Sequence, residues 1–314
     1  MSAKAGVHLP MGDGDEFDAI RGMLAVWGER ARGIGDDAAL LDLPAGTRLV
    51  ASTDASIEAV HFRREWLTPA EIGGRAAAAA LSDLAAMGAT PIGLLLAIAV
   101  PEGWRRALPE IARGVGELAD QLECPVVGGN VSRGAELALT ITVLGYAARP
   151  LTRAGAAPGD IIFVTGRLGG PGAALADWMA GATPREGHRS RFVSPRPRIH
   201  EARWLAQHGA RAAIDISDGL LADALHVARA SGVQIEIELA ALPCVDGVTA
   251  EEASYSGEEY ELLVAFPPDA LPNVAEFEQN FALPLTAIGV AGVGNGVEII
   301  GGAPDGLKGH DHLA

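Results

Sequence analysis

Thr68-Pro69-Ala70-Glu71 and Leu81-Ser82-Asp83-Leu84-Ala85-Ala86-Met87-Gly88 bracket one helix, and Ile92 to Val100 follows as a buried strand. The opening has the chemistry of a helix start. Thr serves as N-cap, Pro fits the first position, and Glu reaches back from the third. Gly88 stops the helix. Ile92–Val100 has the length and bounding signals of a strand. One residue breaks the pattern. Asp is a poor helix-interior residue and is almost never fully buried unpaired. Yet Leu81, Leu84, Ala85 and Met87 around Asp83 read as a buried face. A bound cation would compensate that carboxylate.

Outward from this unit, strands and helices alternate. Asp15 to Trp27 repeats apolar residues at helical spacing. Ala38–Leu43 and Arg48–Thr53 read as strands around a Pro-Ala-Gly turn. Trp104–Leu122 reads as a helix. Pro125–Val127 and Leu137–Ala147 read as strands around a glycine-rich loop, residues 128–134. The first 148 residues therefore suggest an α+β domain. Arg149–Asp160, rich in Pro, Gly and Ala, marks a boundary, so residues 1–148 and 149–314 are expected to form two domains. In the second, Ile161–Thr165, Ala212–Ile216, Val233–Leu239, Tyr260–Phe266, Thr286–Val290 and Gly296–Ile300 read as strands. Helices begin near Ala173 and after Ser217-Asp218-Gly219.

Asp83 is not alone. Gly33-Ile34-Gly35-Asp36-Asp37, Ser52-Thr53-Asp54 and Ile214-Asp215-Ile216-Ser217-Asp218-Gly219 also set acids beside glycines or at strand ends. Such places suit a rim better than a core. Several rims brought together make a cage of hard oxygens, the donor set of Mg²⁺ serving a phosphate substrate. Asp is also common in turns and N-caps; it is the four clusters together that favour the cage. Ser217 reads as an N-cap, at a helix start whose free amides attract phosphate. Backbone amides of the Asn130–Gly134 loop, which holds Ser132, can cradle one, and Arg133 can clamp it. His61 can contact an anionic substrate or satisfy backbone. Ser256-Gly257-Glu258-Glu259-Tyr260 sets carboxylates before a strand, where Glu258 or Glu259 can meet a cationic substrate.

Composition narrows the choices. The net charge of −16 argues against a general nucleic-acid binder. Lys4 and Lys308 are the only lysines, which excludes a Gly-Lys-Ser/Thr phosphate loop and a mid-chain Schiff base. Cys124 and Cys244 are too few for a disulfide scaffold and lack metal-ligand spacing. No signal peptide is visible, and no apolar stretch is long enough to span a bilayer. A soluble cytoplasmic protein is expected.

Taken in order, the segments resemble the thiamine-monophosphate kinase family, of the superfamily that includes aminoimidazole-ribonucleotide synthetase, formylglycinamidine-ribonucleotide synthase, selenophosphate synthetase and a hydrogenase maturation factor. The resemblance rests on Gly33-Ile34-Gly35-Asp36-Asp37-Ala38, Ser52-Thr53-Asp54 with Val60-His61-Phe62, the Asp83 helix, and Ile214 to Leu220. It implies an N-terminal domain with a mixed sheet paired across a homodimer, and a C-terminal α+β sandwich. It implies direct transfer of the ATP γ-phosphate to thiamine monophosphate, with several Mg²⁺ ions and no side-chain nucleophile. The metal ligands would be Asp37, Ser52, Thr53, Asp54, Asp83, Asn130, Asp215 and Asp218. ATP would meet Gly129, Asn130, Arg153 and Ser217; the substrate would meet His61, Glu258 and His310. The chain departs from the family pattern at four places. Asn130 stands for Asp, Ala55 for Thr, Ser256-Gly257-Glu258-Glu259 for Gly-Gly-Glu-Asp, and His310 for an aromatic. The alternatives are a related ATP-using enzyme with another small-molecule acceptor, or a catalytically silenced nucleotide-binding protein.

Overall fold

The computed structural model describes residues 14–32, 34 and 38–302. The chain divides into two compact units. The first ends at Ala148 and omits Ala85–Ala89; the second takes those five residues and the chain from Arg149 onward.

The first unit holds β1 (Arg48–Ile57), β2 (Thr90–Val100), β3 (Val126–Arg133) and β4 (Ala138–Ala147) in the order β1-β4-β2-β3. β4 runs antiparallel to both β1 and β2, and β2 runs parallel to β3, so the sheet is mixed. Leu94, Leu96, Ile98, Leu139, Ile141 and Val143 are buried along it. The helices are α1 (Asp15–Trp27), α2 (Pro69–Ala86) and α3 (Leu108–Gln121), the last preceded by a 3-10 turn, Glu102–Ala107. At the start of α2, the Thr68 amide donates to Glu71 at 2.8 Å and the Glu71 amide donates to Thr68 Oγ1 at 3.3 Å. This is the reciprocal cap that the sequence announces. α2 and α3 meet at glycines. A Cβ on Gly114 would lie 1.9 Å from the Ala70 carbonyl oxygen, and one on Gly73 would lie 2.1 Å from that of Ile111.

Two expectations change here. Residues 38–43 form no strand; Leu40 is 97% exposed and Leu43 42%. An apolar run alone does not make a strand, and among the described residues no edge takes up its backbone hydrogen bonds. The glycine-rich segment, in turn, is mostly strand. Gly128, Gly129 and Asn130 lie within β3, parallel to Leu95, Leu96 and Ala97 of β2. Glycine serves there by its small size. A Cβ on Gly129 would stand 2.0 Å from the Leu96 carbonyl oxygen.

The second unit contains β5 (Ile161–Thr165), β6 (Ala212–Asp215), β7 (Gln234–Glu238), β8 (Leu262–Phe266), β9 (Leu285–Gly292) and β10 (Gly296–Ile300). Their order is β10-β7-β9-β5-β8-β6. β7 and β10 pair parallel and the rest antiparallel. The helices are α4 (Gly170–Met179), α5 (Glu186–Val193), α6 (Ile199–Gln207), α7 (Leu220–Ser231), α8 (Ala250–Tyr255) and α9 (Val274–Phe281). Leu220, Leu221, Ala224 and Val227 of α7 join Ile162, Val164, Ile214 and Leu263 in one buried core. That packing fixes the end of β6 against the start of α7. Among the described residues, no helix is long and apolar enough to cross a membrane.

Candidate functional site

In the first unit the candidate oxygens gather where β1 passes α2. Ser52 Oγ donates to Asp83 Oδ2, so the acid within the apolar helix has a hydroxyl partner on the neighbouring strand. Asp54 follows on the same face of β1, two residues along, and its Oδ1 accepts the Ala55 amide at 2.7 Å. Thr53 alternates to the other face, where its hydroxyl lies 3.0 Å from that of Thr142. His61 is turned to backbone on one nitrogen; its Nδ1 accepts the Ile57 amide at 3.1 Å. Asp37 falls outside the described residues, as does His310.

Asn130 is placed differently. The register runs Ala55–Thr140–Ala97–Asn130 across the sheet, so Asn130 stands on the opposite edge strand from Ser52 and Asp54. Three strand spacings of about 4.8 Å separate those edges, roughly 14 Å. By the same register it shares the face of Ala55 and not that of Asp54. Nearby, Arg133 lines a cavity of about 480 Å³ with Arg105, Asp15, Glu16 and Asp18. Arg105 is held by Asp15 at 2.9 Å and Glu102 at 3.1 Å.

In the second unit, Asp215 ends β6 and is 5% exposed. Ser217 and Asp218 form the turn that follows. The N-cap of α7 is Gly219 and not Ser217. A further acceptor, unremarked in the sequence, organises this turn. Asp223, in the first turn of α7 and 2% exposed, accepts both the Ser217 and the Asp218 amides on Oδ2, each at 3.0 Å. Burial pushes its carboxyl up to about 8; Asp215 and Asp218 push the same way, and the two amide hydrogen bonds oppose them. Ligand atoms of Asp218, Asp223 and His226 lie within 4.8 Å of one another. The signal that singles out Asp83, an acid among apolar helical neighbours, is present at Leu220-Leu221-Ala222-Asp223-Ala224-Leu225 as well.

The turn is tied to a second loop. Ser217 carbonyl accepts the Glu258 amide at 2.7 Å, Ile216 carbonyl accepts the Tyr260 amide at 2.9 Å, and Glu261 carbonyl accepts the Ile216 amide at 2.8 Å. Glu258 and Tyr260 both hold positive φ, 63° and 53°, in a region that non-glycine residues seldom occupy. The Tyr260 hydroxyl donates to Glu258 Oε2 at 2.6 Å and steadies that carboxylate. Glu259 points inward. Its Oε1 accepts from the Gly169 amide and the Ser256 hydroxyl, both at 2.5 Å, while burial pushes its carboxyl up to about 8. Glu261 is 1% exposed and is gripped by Arg198 and by the Thr165 hydroxyl at 2.7 Å. Arg153 is exposed, and its carbonyl accepts the hydroxyl of Ser231 in the last turn of α7 at 3.0 Å.

The chain is similar to known proteins along nearly its whole length. Residues 35–147 match the family described as AIR synthase related protein, N-terminal domain, and residues 157–302 match its C-terminal domain. A thiamine-monophosphate kinase of Salmonella typhimurium is 35% identical over 303 residues, covering 90% of this chain and 92% of that one. The crystal structure of a thiamine-monophosphate kinase from Stenotrophomonas maltophilia K279a superposes with a TM-score of 0.82 at 34% identity, covering 94% of this chain and 98% of that one. A structure described as AaThiL complexed with AMPPCP and TMP gives 0.77 at 31% identity, over 93% and 94%.

Proposed function

The chain belongs to the thiamine-monophosphate kinase family, and from that premise we propose that it moves the γ-phosphate of ATP onto the phosphate of thiamine monophosphate. The products are thiamine diphosphate and ADP. The observation that carries this reading is the chain-long likeness to the AaThiL complex with AMPPCP, an unhydrolysable ATP analogue, and TMP. An acceptor phosphate oxygen is itself the nucleophile, so the protein needs no covalent group. Its work is positioning and neutralising charge.

Mg²⁺ fits the residues present. Ser52, Asp54 and Asp83 supply hard oxygens in the first unit, and Asp215 and Asp218 supply them in the second. The Asp223 carboxyl beside them is raised first by burial and then by the charges of Asp215 and Asp218, and a cation would relieve that second part. Asp37, Thr53 and Asn130 complete the proposed ligand set on the family pattern. When bound, Mg²⁺ would screen the phosphates from a chain of net charge −16. Gly129, Asn130, Arg153 and Ser217 are assigned to ATP, and His61, Glu258 and His310 to the substrate. The support for Glu258 is its strained backbone and its fixed carboxylate.

A homodimer joined through the first unit is part of this proposal. β1 ends the sheet order with ten residues, and Leu40, Leu43 and Leu49 expose apolar surface before and along it.

One observation favours a second reading, an ATP-using relative with another acceptor or a silenced nucleotide binder. It is Asn130 where the family pattern has Asp. Phosphorus NMR of a reaction with ATP, Mg²⁺ and thiamine monophosphate separates the two. A diphosphate pair bonded to thiamine supports kinase action; unreacted monophosphate overturns it.

A further inference from the structure

Asp223 belongs to none of the assigned sets, yet it is the acceptor around which the second unit's site is built. Its Oδ2 receives the Ser217 and Asp218 amides at 3.0 Å each. Those two residues sit between the end of β6 and Gly219, the N-cap of α7, which makes no side-chain cap. Without Asp223 these two half-buried amides would have to find other acceptors. The consequence reaches further, because the Ser217 carbonyl of the same turn receives the Glu258 amide at 2.7 Å. Close packing leaves little freedom. A Cβ on Gly257 would lie 2.8 Å from the Ser217 carbonyl oxygen, and one on Gly219 would lie 3.0 Å from that of Tyr255.

We infer that Asp223 is a positioning residue: it fixes the Ser217–Asp218 turn and, through the Ser217 carbonyl, the Glu258 loop, so that the phosphate side and the substrate side of the site keep one register. The inference rests on the kinase reading for what the two sides hold, and on geometry for the hold itself. Its anchor is rigid. Asp223 rides on α7 beside Leu220, Leu221, Ala224 and Val227, all buried in the unit's core. A shift of the turn would therefore move Asp218 and Glu258 together.

Asn is nearly isosteric, and its carbonyl oxygen accepts the same two amides; Ala removes the acceptor. Asp223→Asn should keep kcat within about 3-fold of the parent and leave the Mg²⁺ concentration for half-maximal rate unchanged. Asp223→Ala should lose kcat on the order of 30-fold, the scale of two amide hydrogen bonds. It should also raise KM for both ATP and thiamine monophosphate, at temperatures well below its melting point. Amide hydrogen exchange gives a readout that needs no turnover. Exchange at Ser217, Asp218 and Glu258 should quicken in Asp223→Ala and stay slow in Asp223→Asn.

Three results would overturn the inference. One is Asp223→Ala with a lower melting temperature but parental kcat, KM and exchange, which leaves a purely structural role. Another is Asp223→Asn as impaired as Ala with a Mg²⁺ requirement raised about 10-fold, which makes the side chain a ligand. The third is unaltered exchange at Glu258 in Asp223→Ala. If Ala fails to fold, the rate and Mg²⁺ requirement of Asp223→Asn decide. If the parent protein itself turns over no thiamine monophosphate, the kinase reading fails, and the exchange rates still test the hold.

Discussion

Asp83 and Asn130 carry opposite lessons at the scale of single residues. Asp83 sits in an Ala-rich helix beside fully buried Leu81 and Leu84, and the Ser52 hydroxyl meets it. The proposed Mg²⁺ would compensate a carboxylate kept in such surroundings. We predict that Asp83→Asn lowers turnover by at least ~100-fold, the cost of one essential charge contact in a transition state, without unfolding the protein. Near-parental turnover would make Asp83 a bystander. Asn130 lies across the sheet from that pair. If it nonetheless ligates metal, Asn130→Asp adds an anionic oxygen and lowers the Mg²⁺ concentration needed for half-maximal rate. An unchanged Mg²⁺ titration would remove position 130 from the ligand set. Asp83 was legible in the sequence because acid and apolar helix conflict. The conflict is equally present at Asp223, but the preceding Ser217-Asp218-Gly219 draws the eye to the turn and away from the side chain that holds it.

At the scale of elements, local chemistry was readable and neighbours were not. α1 and β5 run over the residues their patterns announce, and the Thr68/Glu71 cap appears as bonded. Gly128-Gly129 reads as a loop because glycine breaks strands, yet it lies in β3, where β2 passes too close to Gly129 for a side chain there. Residues 38–43 read as a strand from an apolar run before a Pro-Ala-Gly turn, yet among the described residues no strand pairs with them. No local pattern encodes such facts. The contact of α2 with α3 is of the same kind. Gly114→Ala places a methyl where the Ala70 carbonyl stands, so we predict destabilisation at the upper end of overpacking, about 3 kcal/mol, read as a lower denaturation midpoint at an unchanged slope. An unaffected midpoint would mean that the helices can part. The Glu258 loop offers a pH test. Glu259 keeps its proton up to about 8 when folded, because burial disfavours the carboxylate. The unfolded chain releases that proton near the ordinary carboxylate value. Between those two values the folded state binds more protons, so this group's contribution to stability falls as pH rises. Glu259→Gln removes the titration. Its melting temperature should therefore fall less than the parent's between about pH 5 and pH 8, and parallel declines would contradict the assignment.

For the whole molecule, the acidic clusters and the two-part plan were visible from sequence, whereas their grouping was not. The register sets Asn130 apart from Ser52 and Asp54, and Asp215 and Asp218 belong to a second compact unit. Assembly is the next expectation. With β1 at a sheet edge and Leu40 almost wholly exposed, sedimentation should give a particle of twice 32.3 kDa. Leu40→Glu, which puts charge on that apolar surface, should shift it toward the single chain; a monomeric parent would contradict the shared-sheet dimer. The central claim is phosphoryl transfer to one acceptor. Its most direct measurement is the rate of ADP release with and without thiamine monophosphate, with free thiamine as a control acceptor, before and after Mg²⁺ is chelated. The account predicts ADP release only with thiamine monophosphate, matched mole for mole by thiamine diphosphate and abolished by chelation. ADP release that ignores thiamine monophosphate, or that survives exhaustive chelation, would contradict it.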